Sequence, residues 1–345
     1  MRPWSELAAW QPPAGWLKIT TLEMHTGGEP LRVITGGLPS LSGHTVLEKR
    51  SFFREHYDHL RTGLMWEPRG HADMYGAVVT PSEDADFDVF FLHNEGYSTM
   101  CGHAIIALAT LVSRTGLFDD ATGSGRVSFN VPAGRIEATA PSEGGAVRLA
   151  SFRNVPSFLY LRDKVVDVAG IGQVRFDVAY GGAFYAFVEA EPLGLVLAPE
   201  GYDRLIDCGR RIKRAVMAAF DIAHPLEPEL SFLYGTIFTG RAVEPANHSR
   251  NVCIFAEGEV DRSPTGSGVS ARAALHHAKG ELRLNEKITI ESILGTTMTV
   301  EAVARTTFGP FDAVIPEVSG TAFITGRNEF WFDPADPLAR GFIFR

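Results

Sequence analysis

The sequence predicts a mixed α/β (α+β) fold of two similar lobes, each a curled sheet around a central helix, with a cleft between them. Three observations predict it. Many short β-rich runs are separated by turns rich in Gly and Pro (35 Gly and 20 Pro in 345 residues), which favours sheets or barrels over helical bundles. Two segments break that habit and read as buried helices. Each of these follows a short polar, glycine-containing turn, and the two turns lie 164 residues apart, near half the chain length.

The strand readings run in order along the chain. Leu31-Arg-Val-Ile34 alternates, and Gly76–Thr80 and Phe87–Leu92 are apolar runs bounded by turn residues. Arg126–Val131, Ala146–Leu149, Ala183–Val188, Asn251–Phe255 and Lys287–Glu291 read alike. The first helix, His103–Val112, has ten residues without Gly or Pro and is apolar on nearly every side, as a buried helix must be. The second, Val269–Lys279, is Ala-rich and closed by Gly280, a C-terminal stop. A third helix, Asp203–Phe220, is amphipathic with a basic face and reads as a surface helix. The first sixteen residues, with Trp4, Trp10 and Trp16, read as an arm that packs onto the body through its tryptophans. The lobes are expected to divide as 1–160 with 328–345, and 161–327.

Composition narrows the function class. Asp plus Glu (41) exceed Lys plus Arg (32), for a net charge of −9. That balance is no nucleic-acid footprint and disfavours acidic membranes. The apolar run Ala104–Val112 is about half of what a membrane span needs. No apolar stretch follows Arg2, so no secretory signal is expected. Three widely spaced cysteines, Cys101, Cys208 and Cys253, form no disulfide framework and suit a reducing compartment. A soluble, cytoplasmic protein is expected.

Two turns carry the chemistry. In Met100-Cys101-Gly102-His103 a cysteine stands just ahead of a helix, where unpaired N–H groups and the positive end of the dipole gather. Such positions lower a thiol pKa, so a thiolate is expected there as base or nucleophile. Gly102 lets the backbone approach a bound anion such as a carboxylate. The plainer reading of Cys101 is a small buried hydrophobe. Cys208 and Cys253 lack such a turn and read as structural. In Asp261-Arg-Ser-Pro-Thr265-Gly-Ser-Gly268 the glycines and a helix start again make an anion cradle, with Asp261 placed to accept from a substrate ammonium; the plainer reading is an ordinary capping loop. Gly266-Ser-Gly268-Val-Ser-Ala271 matches a dinucleotide fingerprint, but Ser263-Pro264 separates it from the strand ending at Phe255, which excludes a Rossmann site. The eleven histidines show no metal-ligand spacing, so no metal is expected. Glu23-Met-His-Thr-Gly-Gly-Glu-Pro30 reads equally as a tight turn or as part of a site.

Taken together, the chain resembles the proline racemase family. The stretches that carry the resemblance are Met24-His-Thr-Gly-Gly-Glu-Pro-Leu-Arg32, Pro68-Arg-Gly-His-Ala-Asp-Met-Tyr-Gly76, Met100–His103, Tyr180-Gly-Gly-Ala-Phe184 and Asp261–Gly268, in the expected order over most of the chain. The resemblance implies a diaminopimelate-epimerase-like fold and a cofactor-independent enzyme acting at the α-carbon of a proline-like imino acid. By the same resemblance, Cys101 matches the cysteine that removes the α-proton. Gly102 and His103 match residues that hold the substrate, Asp261 the acid near its nitrogen, and Gly266 with Ser267 the second carboxylate-binding turn. Tyr75 and Phe255 fall where the family places rings over the substrate.

The position of Thr265 is a second cysteine in family racemases and epimerases. Inversion without a cofactor needs a proton-transfer group on each face of the α-carbon, with a pKa near the working pH. A threonine hydroxyl has no accessible titration. Inversion should then be lost while deprotonation survives, and a β-hydroxyl could leave as water. The subgroup this resembles dehydrates trans-3-hydroxy-L-proline to 1-pyrroline-2-carboxylate, a hydro-lyase reaction. Either His103 or Thr265 would protonate the leaving oxygen. The competing readings are a 4-hydroxyproline epimerase or proline racemase working with one cysteine, and a non-catalytic imino-acid-binding protein. The resemblance also implies a homodimer.

Overall fold

The structure is a computed structural model and describes residues 4–117 and 124–344. Two eight-stranded curled sheets each wrap one helix. In the first lobe the strands run, neighbour to neighbour, Ala322–Phe332, Leu17–Thr26, Glu29–Gly36, Tyr75–Thr80, Phe87–His93, Arg126–Val131, Gly134–Thr139 and Ala150–Arg153. In the second they run Ser157–Val168, Gly172–Tyr180, Phe184–Glu189, Leu233–Gly240, Ser249–Phe255, Lys287–Glu291, Thr297–Phe308 and Phe311–Gly320. The last of these pairs back onto Ser157 and Phe158, closing a barrel. The lobes join where Ala150–Arg153 pairs with Glu317–Gly320.

Each lobe follows the same plan. A helix crosses over the outside between two parallel strands: α1 (Val46–Met65) between Glu29–Gly36 and Tyr75–Thr80, as the first helix of the chain longer than one turn or two. Inside the first lobe runs α2 (Gly102–Thr115), buried from Gly102 to Val112. The second lobe repeats this with α3 (Tyr202–Ala219) outside and α4 (Gly266–Lys279) inside. The inner helices are wrapped by sheet, so they can be apolar all round. The outer helices bury one face; that of α3 is Leu205, Cys208, Gly209, Ile212 and Val216. Cys208 is thus a packing residue. None of the described helices is long and apolar enough to cross a membrane.

The structure departs from the sequence reading in three places, and it resolves a fourth that was open. Helix α1 was not expected, because its apolar positions are sparse among charges; Arg50 and Arg61 are themselves buried, held by Glu229 and by Asp58. Ala146–Leu149 is no core strand: only Ala146–Val147 pairs, in an exposed hairpin with Ser142–Glu143, and the core strand starts at Ala150. The N-terminal arm holds on through Trp10, 5.1 Å from the Trp331 ring and 6.1 Å from Trp16, whereas Trp4 faces solvent. The segment from Glu23 to Pro30 is a hairpin turning at Gly27-Gly28, both at positive φ. Its tip also supports the second lobe. Gly27 O accepts from Thr296 Oγ1 (2.7 Å), and Glu29 Oε2 accepts from Arg262 N (2.7 Å).

Candidate active site

Cys101 is the N-cap residue of α2, and Thr265 is the N-cap residue of α4. Neither side chain caps its own helix, so the first-turn N–H groups stay available to a ligand. The two helices meet head to head. Gly102 and Gly266 approach so closely that a Cβ on either would lie within 2.6 Å of the other's Cα. Both dipoles therefore direct their positive ends at one point.

A pocket lies at that point. All nine residues picked out from the sequence line it: Tyr75, Cys101, Gly102, His103, Phe255, Asp261, Thr265, Gly266 and Ser267. Sequence reasoning missed Met100, Tyr185, Tyr234 and Cys253, which line it too. Cys253, read as structural, is a core residue that also reaches the pocket. It sits directly across the ladder from Asp261, and no local motif marks it. Tyr234 stacks on Phe255 (5.3 Å between rings), and Tyr75 meets the Phe255 ring at 6.1 Å, forming an aromatic wall shared by the two lobes. The pocket is nearly shut, with about 20 Å³ of room, the space of a single water. A five-membered ring can enter only if the walls part.

The Tyr180–Phe184 motif locks the second lobe onto the first. Thr99 Oγ1 donates to Gly182 O (2.6 Å), and Asn154 Nδ2 donates to Gly181 O (2.8 Å). A side chain on Gly181 would strike Ser267 O at 2.3 Å, and one on Gly182 would strike Met100. Arg262 bridges to Asp73 of the first lobe (2.7 Å), and buried His93 and Glu259 pair across the lobes at 3.2 Å.

The electrostatics correct one expectation. Burial pushes the Cys101 thiol well above its ordinary value. The Ala104 N–H at the helix start and the Tyr75 hydroxyl pull it down without offsetting burial, and Asp261 and Glu29 add to the rise. The closed site thus holds a thiol, where a thiolate was expected. The helix N-terminus acts in the expected direction, but desolvation is larger. Cys101 Sγ lies 3.2 Å from His103 Nδ1. Burial lowers His103 to about 3, so its imidazole is neutral near pH 7. Burial raises Asp261 to about 6 against the hydrogen bond from Ser263 N and the opposing pull of the Thr265 hydroxyl, leaving it ionised at neutral pH.

Thr265 itself is strained. Its φ of +71° is rare for a β-branched residue. Ser263 Oγ accepts from Thr265 N (3.1 Å), Val269 N donates to Thr265 O (2.7 Å), and Asn251 Nδ2 donates to Pro264 O (3.2 Å), holding the turn. Its own Oγ1 is buried without a hydrogen-bond partner. Ser267, by contrast, is fixed by Tyr185, their oxygens 2.7 Å apart.

The proline racemase family model matches residues 21–343 of the chain. The chain belongs to the proline racemase family. It is 53% identical to a trans-3-hydroxy-L-proline dehydratase of Colwellia psychrerythraea, over 97% of this chain and 96% of that one. It is 47% identical to the human trans-3-hydroxy-L-proline dehydratase, over 95% of each. Its fold superposes on the crystal structure of a hydroxyproline epimerase from Agrobacterium vitis, with bound trans-4-hydroxy-L-proline. That match has a TM-score of 0.90 and 30% identity and covers 96% of both chains. The family fold is thus the diaminopimelate-epimerase-like one expected from the motifs.

Proposed function

We propose that this protein dehydrates trans-3-hydroxy-L-proline to 1-pyrroline-2-carboxylate, a hydro-lyase reaction that needs no cofactor. The observation that carries the reading is the pair of N-caps, Cys101 and Thr265, lining one pocket. One is a thiol able to take a proton and the other an alcohol that cannot. Relatives bearing the dehydratase name at 47% and 53% identity support it.

The substrate carboxylate sits against the first-turn N–H groups of α2 and α4, around Gly102, His103, Gly266 and Ser267. The ring nitrogen, positively charged, pairs with Asp261. Its charge also lowers the cost of ionising Cys101 beside it, which burial alone makes high. The thiolate then takes the α-proton. Negative charge spreads into the carboxylate, where two helix N-termini are already aimed; donors fixed before the reaction stabilise such charge most effectively. Tyr75 and Phe255 cover the ring and keep water from the carbanion. The β-oxygen leaves as water. Neutral His103 is not available as an imidazolium donor, which leaves Thr265 to hand over the proton. The enamine formed tautomerises to the cyclic imine. Free cysteines at all three positions fit a reducing compartment, and we place the enzyme in the cytoplasm as a homodimer.

The test is direct. The protein is incubated with trans-3-hydroxy-L-proline, L-proline and trans-4-hydroxy-L-proline in separate reactions. The cyclic imine should form from the first alone, with no inversion at the α-carbon of the other two. A 4-hydroxyproline epimerase would instead invert trans-4-hydroxy-L-proline, the ligand bound in the Agrobacterium vitis hydroxyproline epimerase structure, and release no imine. A protein that only binds would do neither.

A further inference from the structure

We propose that Tyr185 is a positioning residue for the substrate carboxylate: its phenol fixes the Ser267 hydroxyl and leaves the serine proton free to donate to that carboxylate. The inference rests on the dehydration reading above. It adds a side-chain donor to the backbone N–H groups that receive the anion at the two helix starts.

Ser267 is the second residue of α4, next to Gly266, where the two helices touch. A serine inside a helix commonly donates to the carbonyl four residues back, as Ser270 does to Gly266 O (3.0 Å). Ser267 stands in the first turn and has no helical carbonyl four residues behind it. Its hydroxyl meets the Tyr185 hydroxyl instead, at 2.7 Å, and neither oxygen has a second hydrogen-bond partner among the described residues. Both side chains are buried, and both residues line the pocket.

Two hydroxyls carry two protons, and the bond between them uses one. The phenol is the stronger acid of the two, so it donates to Ser267 Oγ. The serine proton then needs an acceptor, since buried polar groups are nearly always paired. The acceptor that fits the start of α4 is the substrate carboxylate. A hydroxyl that already accepts a hydrogen bond is polarised and donates more strongly. Tyr185 is built in for this task. It lies in the strand Phe184–Glu189, flanked across the ladder by Ala179 and Gly235, which leave room for its ring. The Tyr234 ring meets it edge-on, 5.8 Å between centres. Burial raises the Tyr185 phenol well above its ordinary value, so it keeps the proton it donates.

The test must separate positioning from packing, and a double-mutant cycle does so. Tyr185→Phe, Ser267→Ala and the double variant are compared with the parent as full chains. Calorimetry gives the Kd of pyrrole-2-carboxylate, and the imine assay gives KM and kcat for trans-3-hydroxy-L-proline. Kd and KM should each rise about tenfold in either single variant, the scale of a hydrogen bond to a charged group. The kcat should fall less, because the carboxylate is an anion before as well as after the α-proton leaves. The double variant should stay within about threefold of Ser267→Ala, because the phenol acts only through the serine. Losses that multiply to about 100-fold in the double variant would make Tyr185 a packing residue and overturn the proposal. So would a Kd within about twofold of the parent in Tyr185→Phe. A parent that forms no imine instead overturns the dehydration reading, while the Kd cycle still decides the role of Tyr185.

Discussion

Gly102 and Gly266 touch backbone to backbone, at the first helical position of α2 and of α4: a Cβ on Gly102 would lie 2.5 Å from the Gly266 Cα. The contact sets how near the two helix N-termini come, and hence how strongly they would act together on the carboxylate proposed to lie there. Gly102→Ala or Gly266→Ala must push backbone against backbone, since no flexible side chain can yield. Overpacking of this kind costs about 1–3 kcal/mol, visible in thermal unfolding. The kcat should fall further than stability, by about 100-fold, because small displacements of catalytic groups are costly. Normal turnover in both variants would show that the opposed dipoles do not matter.

Cys101→Ser should lower imine formation on the order of 10³-fold, within the range of a lost acid–base group. Binding of pyrrole-2-carboxylate, whose flat α-carbon resembles the deprotonated substrate, should be kept. If calorimetry finds binding intact and the assay finds turnover intact, another group is the base.

Thr265→Cys places a thiol on the second face. It also removes a branched Cβ from a residue at φ +71°, so the variant should be no less stable than the parent. Recovered proline should then show α-deuterium with inverted configuration in D2O, at the expense of clean dehydration. Deuterium without any inversion would undercut the account of why threonine abolishes racemisation.

Asp261 gives a pH dependence with a definite sign. Burial raises it to about 6, above its value in the unfolded chain. Its contribution to stability is therefore fully present below about pH 4 and lost as pH rises through 6. Ligand binding runs the other way, since only the carboxylate can pair with a cationic ring nitrogen. The Kd of L-proline should rise about tenfold per pH unit below 6, and Asp261→Asn should flatten that limb. A Kd independent of pH between 4 and 7 would mean Asp261 does not meet the nitrogen.

Glu291 is the structural counterpart. Burial alone would raise it, but it accepts from Asn247 Nδ2, Val243 N, Glu244 N and Arg250, and these hold it at about 2. The stability it contributes is present above about pH 4.5 and lost as pH falls through that value towards 2. Glu291→Gln should lower Tm at pH 7 by on the order of 2–4 °C, with the gap to the parent closing near pH 3. An equal gap at both pH values would rule out the charge as its source.

Local signals carried much of this protein. The turns ahead of α2 and α4 were legible because a glycine-rich turn before a long apolar run is a short-range pattern, though α4 starts at Gly266 rather than Val269, and Gly280 marked its end. Seven of the nine candidate pocket residues lay on such turns, whereas Tyr75 and Phe255 were singled out by the family resemblance. The capping box of Thr45 and Glu48 was a usable sign of α1, but a helix that buries Arg50 and Arg61 hides its inner face from any reading of hydrophobic periodicity. Cys253, Tyr185 and Tyr234 gave no sign, since each sits in an ordinary strand and reaches the pocket through a register set by partners far away in the chain. The closing of the second barrel, the contact of Gly102 with Gly266 and the desolvation that reverses the Cys101 acidity are likewise tertiary facts. Sequence order determines which groups stand at a helix start. Only packing brings two such starts, 164 residues apart, to one pocket and strips them of water.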